Sequence, residues 1–409
     1  MKIAASKKSS CWRSPESSAK VYRDMLNVRP MAPDISIVIP VYNGAAHLAA
    51  CLNAVRELRP EPLECIVVDD GSTDGSARIA QAAGVTVVST CGRRGPGCAR
   101  NLGAGVARGE ILLFVDADVV MPPDAMARIR ARFSEDPARD AVIGSYDQDP
   151  ASPDLLSQYR NLLHCYTHQR GQARTCGFWT GCGAMRAAVF REYGGFDETH
   201  MRPRIEDVEL GTRLRRAGRQ VWLDKELRVK HLKRLRFWTV MKTDLVDRAI
   251  PWTLLILRSS QMPADLNLQW GQRLSVLASG WGALALILSA VSAAVFSGRL
   301  AAALVLSAAI AAVAVMALNS DFYCFLARAR NPWFALRAFP LHGLYFVCAG
   351  AGFAAGLASH VWARLPLRNR AADKPLCAAP AKSPAELMAS PGGLTRGPAP
   401  SCSPVPPDM

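Results

Sequence analysis

The chain has 409 residues, a formal net charge of +15 and 12 cysteines, so it has room for one large domain and a further part. The basic residues cluster before and between apolar segments without a nucleic-acid motif, and this favours membrane or nucleotide phosphate over nucleic acid as the anionic partner. The cysteines include no C-x-x-C pair, so neither a zinc site nor a disulfide framework is predicted, and a reducing compartment suits them.

The front of the chain is predicted to be an α/β domain. Residues 1–33 read as a disordered leader, without the apolar core of a signal peptide in residues 1–20. Strands are then predicted at Ile35–Val41, Leu63–Asp69, Val85–Ser89 and Ile111–Val115, with helices between them. This alternation predicts a parallel sheet with a nucleotide crevice at its carboxyl edge. No G-x-G-x-x-G follows the first strand and no P-loop motif occurs, which disfavours dinucleotide redox chemistry and P-loop hydrolysis.

The stretch Gly109–Met121 contains the strongest candidate site. Its apolar run, Ile111–Val115, reads as a strand buried on both faces, and it delivers Asp116 and Asp118 to the carboxyl end, where open α/β sheets bind ligands. Two adjacent carboxylates repel each other, and a divalent cation with substrate phosphates relieves that repulsion. A strand that ends in a polar turn is the other interpretation of this motif.

Later segments complete the domain and then change in character. Strands are predicted at 141–146 and 223–232, and a helix at 206–217 with arginines in its last turn, where cations suit the helix dipole. We place the domain at residues 34–233. Residues 234–272 follow as an amphipathic segment, with Trp238 and Trp252 on one stripe, which is typical of an interfacial helix or of a helix packed on the domain.

Residues 273–363 are predicted to be a membrane region. Leu274–Phe296 and Leu300–Leu318 are each long and apolar enough to cross a bilayer, and Leu341–Val361 is a third candidate with several glycines and histidines. The arginines between the second and third segments predict a cytoplasmic front domain. Arg364, Arg368 and Arg370 conflict with this if all three segments span, so either the third segment is re-entrant or the positive-inside rule fails here. Residues 364–409 are predicted to be a disordered tail.

Six motifs in the front domain occur together in a familiar order. They are Pro40-Val41-Tyr42-Asn43, Val68-Asp69-Asp70-Gly71-Ser72-Thr73-Asp74, Arg100-Asn101-x-Gly103, Asp116-Ala-Asp118, Thr180-Gly181-x-Gly183-x-Met185-Arg186 and Glu206-Asp207-x-x-Leu210-x-x-Arg213-Leu214. In these motifs, residues 35–232 resemble a family 2 glycosyltransferase with the GT-A fold, a Rossmann-like domain with a mostly parallel sheet. The resemblance implies an inverting enzyme that uses a nucleotide-sugar donor and Mg²⁺ or Mn²⁺.

The resemblance also assigns the donor side. It places Pro40, Tyr42, Asp69 and Asp70 around the nucleoside, with Asp116 and Asp118 at the metal and the donor diphosphate. A metal held by Asp118 would stabilise the negative charge that develops on the leaving diphosphate. Arg100 would add positive charge near the same phosphates, although a solvated helix arginine is the alternative.

The remaining site residues concern the acceptor. Asp207 is the predicted general base, with Glu206 beside it, because direct displacement needs one carboxylate to take the acceptor proton. A cluster of acids that merely favours a helix N-terminus is the other interpretation. Thr180, Gly181 and Gly183 are predicted to line the acceptor side. Trp179 serves there as a sugar-stacking face or as a core residue.

The predicted function is transfer of a single hexose-type sugar from a UDP, GDP or dTDP donor to a lipid-linked or membrane-proximal hydroxyl. The stretch 233–238 lacks the Gln-x-x-Arg-Trp motif of processive synthases, which favours a single transfer. The expected location is a bacterial-type inner membrane, in cell-envelope synthesis. Three alternatives stay open: a polyprenyl-phosphate sugar synthase, a non-catalytic nucleotide-sugar-binding membrane subunit and a nucleotidyltransferase.

Overall fold

A computed structural model describes residues 34–175, 177–199, 205–259, 269–295 and 298–364. The predicted leader, residues 1–33, lies outside the described residues, and so does the predicted tail beyond residue 364.

One mixed sheet forms the centre of the front domain. Its strands are β1 (Ile35–Val41), β2 (Glu64–Asp69), β3 (Thr86–Ser89), β4 (Ile111–Val115), β5 (Val119–Val120), β6 (Ala141–Tyr146), β7 (Arg174–Thr175), β8 (Cys182–Arg186) and β9 (Val221–His231). They lie in the order β3-β2-β1-β4-β8-β6-β9-β5, and β7 also pairs with β9. The first four strands in that order are parallel, β8 is antiparallel to both of its neighbours, and β6 and β9 are parallel. The predicted α/β fold and its first strands are therefore confirmed.

Helices cover both faces of this sheet. They are α1 (Ala45–Glu57), α2 (Ser76–Ala82), α3 (Pro96–Val106), α4 (Ala125–Glu135), α5 (Leu155–Arg170), α6 (Ala187–Glu192) and α7 (Glu206–Arg216). Because neighbouring residues of a strand point to opposite faces, Leu113 of β4 lies in one apolar core and Phe114 lies in the other. All of β4 is buried, as its unbroken apolar run predicted.

The amphipathic segment is helical but not one regular α-helix. It consists of α8 (Phe237–Lys242), a π-helical turn (Thr243–Ala249) and α9 (Ile250–Ser259). Isolated π-helical turns occur often at functional sites. Trp238 is 80% exposed, in keeping with an interfacial position.

Three of the C-terminal helices are long and apolar enough to cross a membrane. These are α10 (Trp270–Val295), α11 (Gly298–Leu318) and α13 (Pro332–Arg364), and the short helix α12 (Ser320–Ala329) precedes the last of them. The third candidate is thus one continuous helix of 33 residues, so no break marks it as re-entrant. Trp270, Trp333 and Trp362 lie near helix ends and are exposed, as tryptophans at membrane interfaces are.

The front domain packs directly on these C-terminal helices. Tyr159 and Leu162 of α5 share a buried cluster with Phe322 and Leu326 of α12. Arg330, just after α12, donates to the side-chain oxygen of Gln158 at 2.8 Å through Nε. The front domain and the C-terminal helices are therefore in direct contact.

Candidate active site

A single open cavity joins the carboxyl edge of the sheet to the C-terminal helices. Its volume is about 1540 Å³. Pro40 lies at one end, Asp116 and Asp207 lie in the middle, and Trp252 and Phe353 lie at the other end. Most of the predicted site residues line it: Pro40, Tyr42, Asp70, Arg100, Asp116, Asp118, Trp179, Thr180, Glu206 and Asp207.

The end at β1 is built from a loop and a turn. Tyr42 follows β1 directly and is 41% exposed, and the guanidinium of Arg93 lies 4.1 Å from the centre of its ring. Such a cation–π pair presents a flat face and a positive charge at the mouth of the cavity. Arg93 carried no prediction from the sequence.

The two predicted donor aspartates have structural partners of their own. One carboxylate oxygen of Asp70 accepts from the backbone N–H of Arg94 and the hydroxyl of Thr90, and the other accepts from the N–H of Gly95. Asp69 accepts from the N–H of Ser72 and is not among the cavity-lining residues. Asp70 therefore fixes the loop before α3 as well as lining the cavity.

Arg100 is buried between two carboxylates. Its Nη2 donates to Oδ1 of Asp116 at 2.9 Å and its Nη1 donates to Oε1 of Glu206 at 3.0 Å. The alternative of a solvated helix arginine is therefore wrong, because only 6% of its side chain is exposed. Burial alone would disfavour its charge, but Asp116 and Glu206 overcome this and the pKa of Arg100 is raised. This bridge holds α3, the end of β4 and α7 together.

Asp118 faces a histidine from the last strand. Its Oδ2 lies 3.8 Å from Nε2 of His231 and 4.0 Å from Nζ of Lys233. Burial, and then Asp116, raise the pKa of Asp118, whereas burial lowers the pKa of His231. Both shifts favour the neutral form of the side chain, so the negative charge of Asp118 is only partly balanced by groups of the chain itself.

The donor set at this point fits a hard divalent cation. Asp116 and Asp118 supply carboxylate oxygens, and neutral His231 supplies a ring nitrogen, all of which are metal ligands. Within the described ranges no three such groups already converge closely enough to hold an ion. The site therefore resembles those in which one or two carboxylates share the ion with substrate phosphates.

Asp207 lies at the start of α7, beside the buried bridge. Burial, and then the charge of Glu206, raise its pKa to about 7, although Arg100 opposes the shift. The carboxylate of Glu206 forms an ion pair with Arg100. Of the two predicted catalytic acids, Asp207 is thus the one whose pKa suits proton transfer near neutral pH.

An aromatic cluster forms the wall opposite these acids. Trp179 packs against Tyr146, His164 and His168, with ring centres 4.9, 4.7 and 5.5 Å away. Trp179 therefore packs in the domain, as expected of a core residue, and also lines the cavity, as expected of a residue that stacks on a sugar. Nδ1 of His164 is buried and has no hydrogen-bond partner in the described part of the chain.

The predicted acceptor glycines lie behind this wall rather than in it. A Cβ at Gly181 would lie 2.3 Å from the Trp179 ring, and a Cβ at Gly183 would lie 2.3 Å from the carbonyl oxygen of Trp179. Neither residue lines the cavity, whereas Thr180 does. The glycines are needed because the tryptophan packs against them.

Several cavity residues were missed by the sequence analysis. His231 ends the predicted last strand, so the rule that ligands bind at strand ends could have found it. Tyr146 ends the strand predicted at 141–146, so the same rule could have found it, whereas His164 carried no such signal because it meets Trp179 only in the folded chain. Arg248, which lies in the π-helical turn, carried no site prediction from the sequence.

The mostly parallel, mixed sheet is that of a Rossmann-like domain of the GT-A type. Residues 36–194 match the family model of glycosyl transferase family 2. This match confirms the resemblance seen in the sequence for that part of the chain.

Curated relatives and solved structures match parts of the chain. Glycosyltransferase GlyG of Streptococcus pneumoniae is 34% identical over 121 residues, which are 28% of this chain and 40% of GlyG. The pre-mycofactocin glycosyltransferase of Mycobacterium tuberculosis is 27% identical over 67% of this chain and 60% of its own length. A mannosyltransferase from Pyrobaculum calidifontis, in complex with GDP-Man and Mn²⁺, covers 86% of this chain and 95% of its own at 19% identity, with a TM-score of 0.45. The chain spans less than half the length of the first curated relatives that it matches.

Proposed function

We propose that this protein is a metal-dependent, inverting glycosyltransferase that moves one sugar from a nucleoside diphosphate to a hydroxyl of a lipid-linked acceptor. The observation that carries the proposal is the continuous cavity, because it runs from the strand-end acids to helices apolar enough to cross a membrane. A donor fits the sheet end of such a cavity, and an acceptor can enter from the membrane end.

The donor end would hold the nucleotide and the metal. Tyr42 and Arg93 would contact the nucleoside, and Asp116 and Asp118 would hold Mg²⁺ or Mn²⁺ together with the donor phosphates. The bound ion supplies Lewis-acid stabilisation to the departing diphosphate. Arg100 orients the carboxylate of Asp116 through the hydrogen bond from Nη2 to Oδ1.

Asp207 would act as the general base. The acceptor oxygen forms a bond to the anomeric carbon as the bond to the diphosphate oxygen breaks, and the acceptor proton moves to the carboxylate of Asp207. A single displacement of this kind inverts the anomeric configuration. Because it needs only one base, no second carboxylate nucleophile is required.

The apolar face of Trp179 would hold the sugar or acceptor ring above this centre. The cytoplasmic face of a bacterial-type inner membrane is the proposed location, since Arg328 and Arg330 lie between α11 and α13 and Arg337 lies near the start of α13, a cluster of the kind that favours the cytoplasmic side. Arg330 contacts the front domain itself, which supports this side.

Membranes that contain the protein would be incubated with individual UDP-, GDP- and dTDP-sugars and Mn²⁺. We expect one donor class to release its nucleoside diphosphate, and mass spectrometry of the lipids to show the addition of one sugar residue. Donor binding without turnover across a broad panel of donors and acceptors would instead indicate a non-catalytic subunit. Release of pyrophosphate from nucleoside triphosphates would indicate nucleotidyl transfer.

A further inference from the structure

The membrane-facing part of the cavity is richer in cations than in anions. The segment 235–277 and Arg160 contribute four basic side chains to its wall, Arg160, Lys242, Arg248 and Arg273, and two acidic ones, Asp244 and Asp247. Apolar residues from α9, α10 and α13 continue the same wall. This part of the cavity therefore combines a positive charge with an apolar path.

One acid of this group is neutralised within the chain. Nη2 of Arg160 donates to Oδ1 of Asp244 at 2.7 Å, and both side chains are nearly buried. Arg273 in turn stacks on the ring of Trp270, so Asp247 remains in this wall with two other cations, Lys242 and Arg248. Basic side chains therefore still outnumber acidic ones in this part of the cavity after the internal pair is set aside.

Arg248 is the cation placed best to reach an acceptor. It has no ion-pair partner among the described residues, and it lines the cavity from the π-helical turn. Its positive charge lowers the pKa values of His164 and Asp207, so it lies within electrostatic reach of the proposed base. Arg248 is exposed to the cavity, and an exposed arginine without an ion-pair partner can bind an anion through charge-assisted hydrogen bonds.

The position of Arg248 is set by a close contact between helices. A Cβ at Gly352 of α13 would lie 2.3 Å from Cβ of Ala249, and a Cβ at Gly356 would lie 2.8 Å from Cβ of Thr253. This Gly-x-x-x-Gly spacing lets two helices approach closely in a membrane. The residue next to Arg248 is therefore clamped to the longest membrane helix.

We infer that Arg248 binds a phosphate group of the acceptor, so that the acceptor is a phospholipid-type molecule whose apolar chain lies toward Leu277 and Phe353. This inference rests on the proposed function, because it specifies the acceptor of that reaction. Charge complementarity identifies the phosphate, and continuity of the cavity with apolar helices identifies a lipid rather than free phosphate as its source.

Native mass spectrometry of the purified full chain in a polyoxyethylene detergent tests the inference. The probes are hexadecyl phosphate, hexadecanol and inorganic phosphate. We expect hexadecyl phosphate to bind at least about 10-fold more tightly than either of the others, because a charge-assisted contact contributes about 10- to 100-fold. Arg248→Gln should remove that advantage, Arg248→Lys should keep most of it, and the control Arg258→Gln, outside the cavity, should match the unmodified protein.

Other outcomes would overturn the inference. These are equal binding of hexadecyl phosphate and hexadecanol, tight binding of inorganic phosphate, or an Arg248→Gln variant that loses nothing. If Arg248→Gln does not fold, the salt dependence of binding to the unmodified protein replaces it as the test. Raised salt should then weaken the binding of hexadecyl phosphate but not that of hexadecanol. Titration calorimetry with UDP-glucose and GDP-mannose plus Mn²⁺ separates the two proposals. If the protein binds neither donor but does bind hexadecyl phosphate, the proposed glycosyltransferase function is contradicted and the lipid-phosphate site is not.

Discussion

The two ends of the cavity are built in different ways. At the sheet end, short motifs at neighbouring strand ends place their side chains together, and backbone hydrogen bonds to Asp70 hold the loop in place. At the membrane end, Arg160 and Asp244 pair across 84 residues of sequence, and the rest of the wall comes from separate helices. The comparison shows that the donor end is specified locally, whereas the acceptor end depends on how the membrane helices pack against the domain.

The largest expected effect lies at the sheet end. Asp118→Ala should reduce transfer by about 10³-fold or more, because the divalent ion is expected to stabilise the leaving group by several kcal/mol. Removal of divalent ions with EDTA should have the same effect on the unmodified protein. Nucleotide release from membranes is the measurement, and Asp124→Ala, an exposed acid on the next turn, is the control. Full turnover after chelation would contradict metal dependence.

The next effect separates the two classes of acceptor. Asp207→Asn should lower kcat by about 10²- to 10⁴-fold, the usual contribution of a positioned base, while donor binding is retained. Glu209→Gln on the same helix is the matched control. Transfer to a phosphate oxygen needs no base, so an Asp207→Asn variant with normal activity would point to a polyprenyl-phosphate sugar synthase.

The pH dependence should report the same carboxyl. Asp207 has a pKa of about 7, above its ordinary value, and a base acts only when deprotonated. Transfer should therefore fall about tenfold for each pH unit below 7 and level off above it. A rate profile of kcat/KM from pH 5 to 8.5 checks this. A profile that stays flat down to pH 5 would assign the base role to another group.

The smallest expected effect tests the membrane end. Gly352→Ala places a Cβ against Ala249, and overpacking of this kind costs about 1–3 kcal/mol. We expect a lower Tm in detergent and a reduced transfer rate, with donor binding unchanged. Gly343→Ala on the same helix has open space at its Cβ and serves as the control. If Gly352→Ala and Gly343→Ala have the same Tm, the close contact between Gly352 and Ala249 does not contribute to stability.

Much of the fold could be predicted because its signals are local. Apolar runs bounded by turns gave the first four strands, and charge-free stretches gave the membrane helices. Some helix ends were misplaced, as with α13, which begins at Pro332, nine residues before the predicted Leu341. The interruption of segment 237–259 by a π-helical turn had no sequence signal, because it depends on packing against α13.

The candidate site divides in the same way. The sequence alone determined that Asp116, Asp118 and Asp207 lie at strand or helix ends, since chain direction in a parallel sheet brings those ends to one edge. Only the tertiary structure decided that Arg100 is a buried bridge, that Gly181 supports Trp179 and that Arg248 lines the same cavity as the acids. These roles arise from contacts between distant segments, and long-range packing, unlike local periodicity, leaves no repeating pattern in the chain.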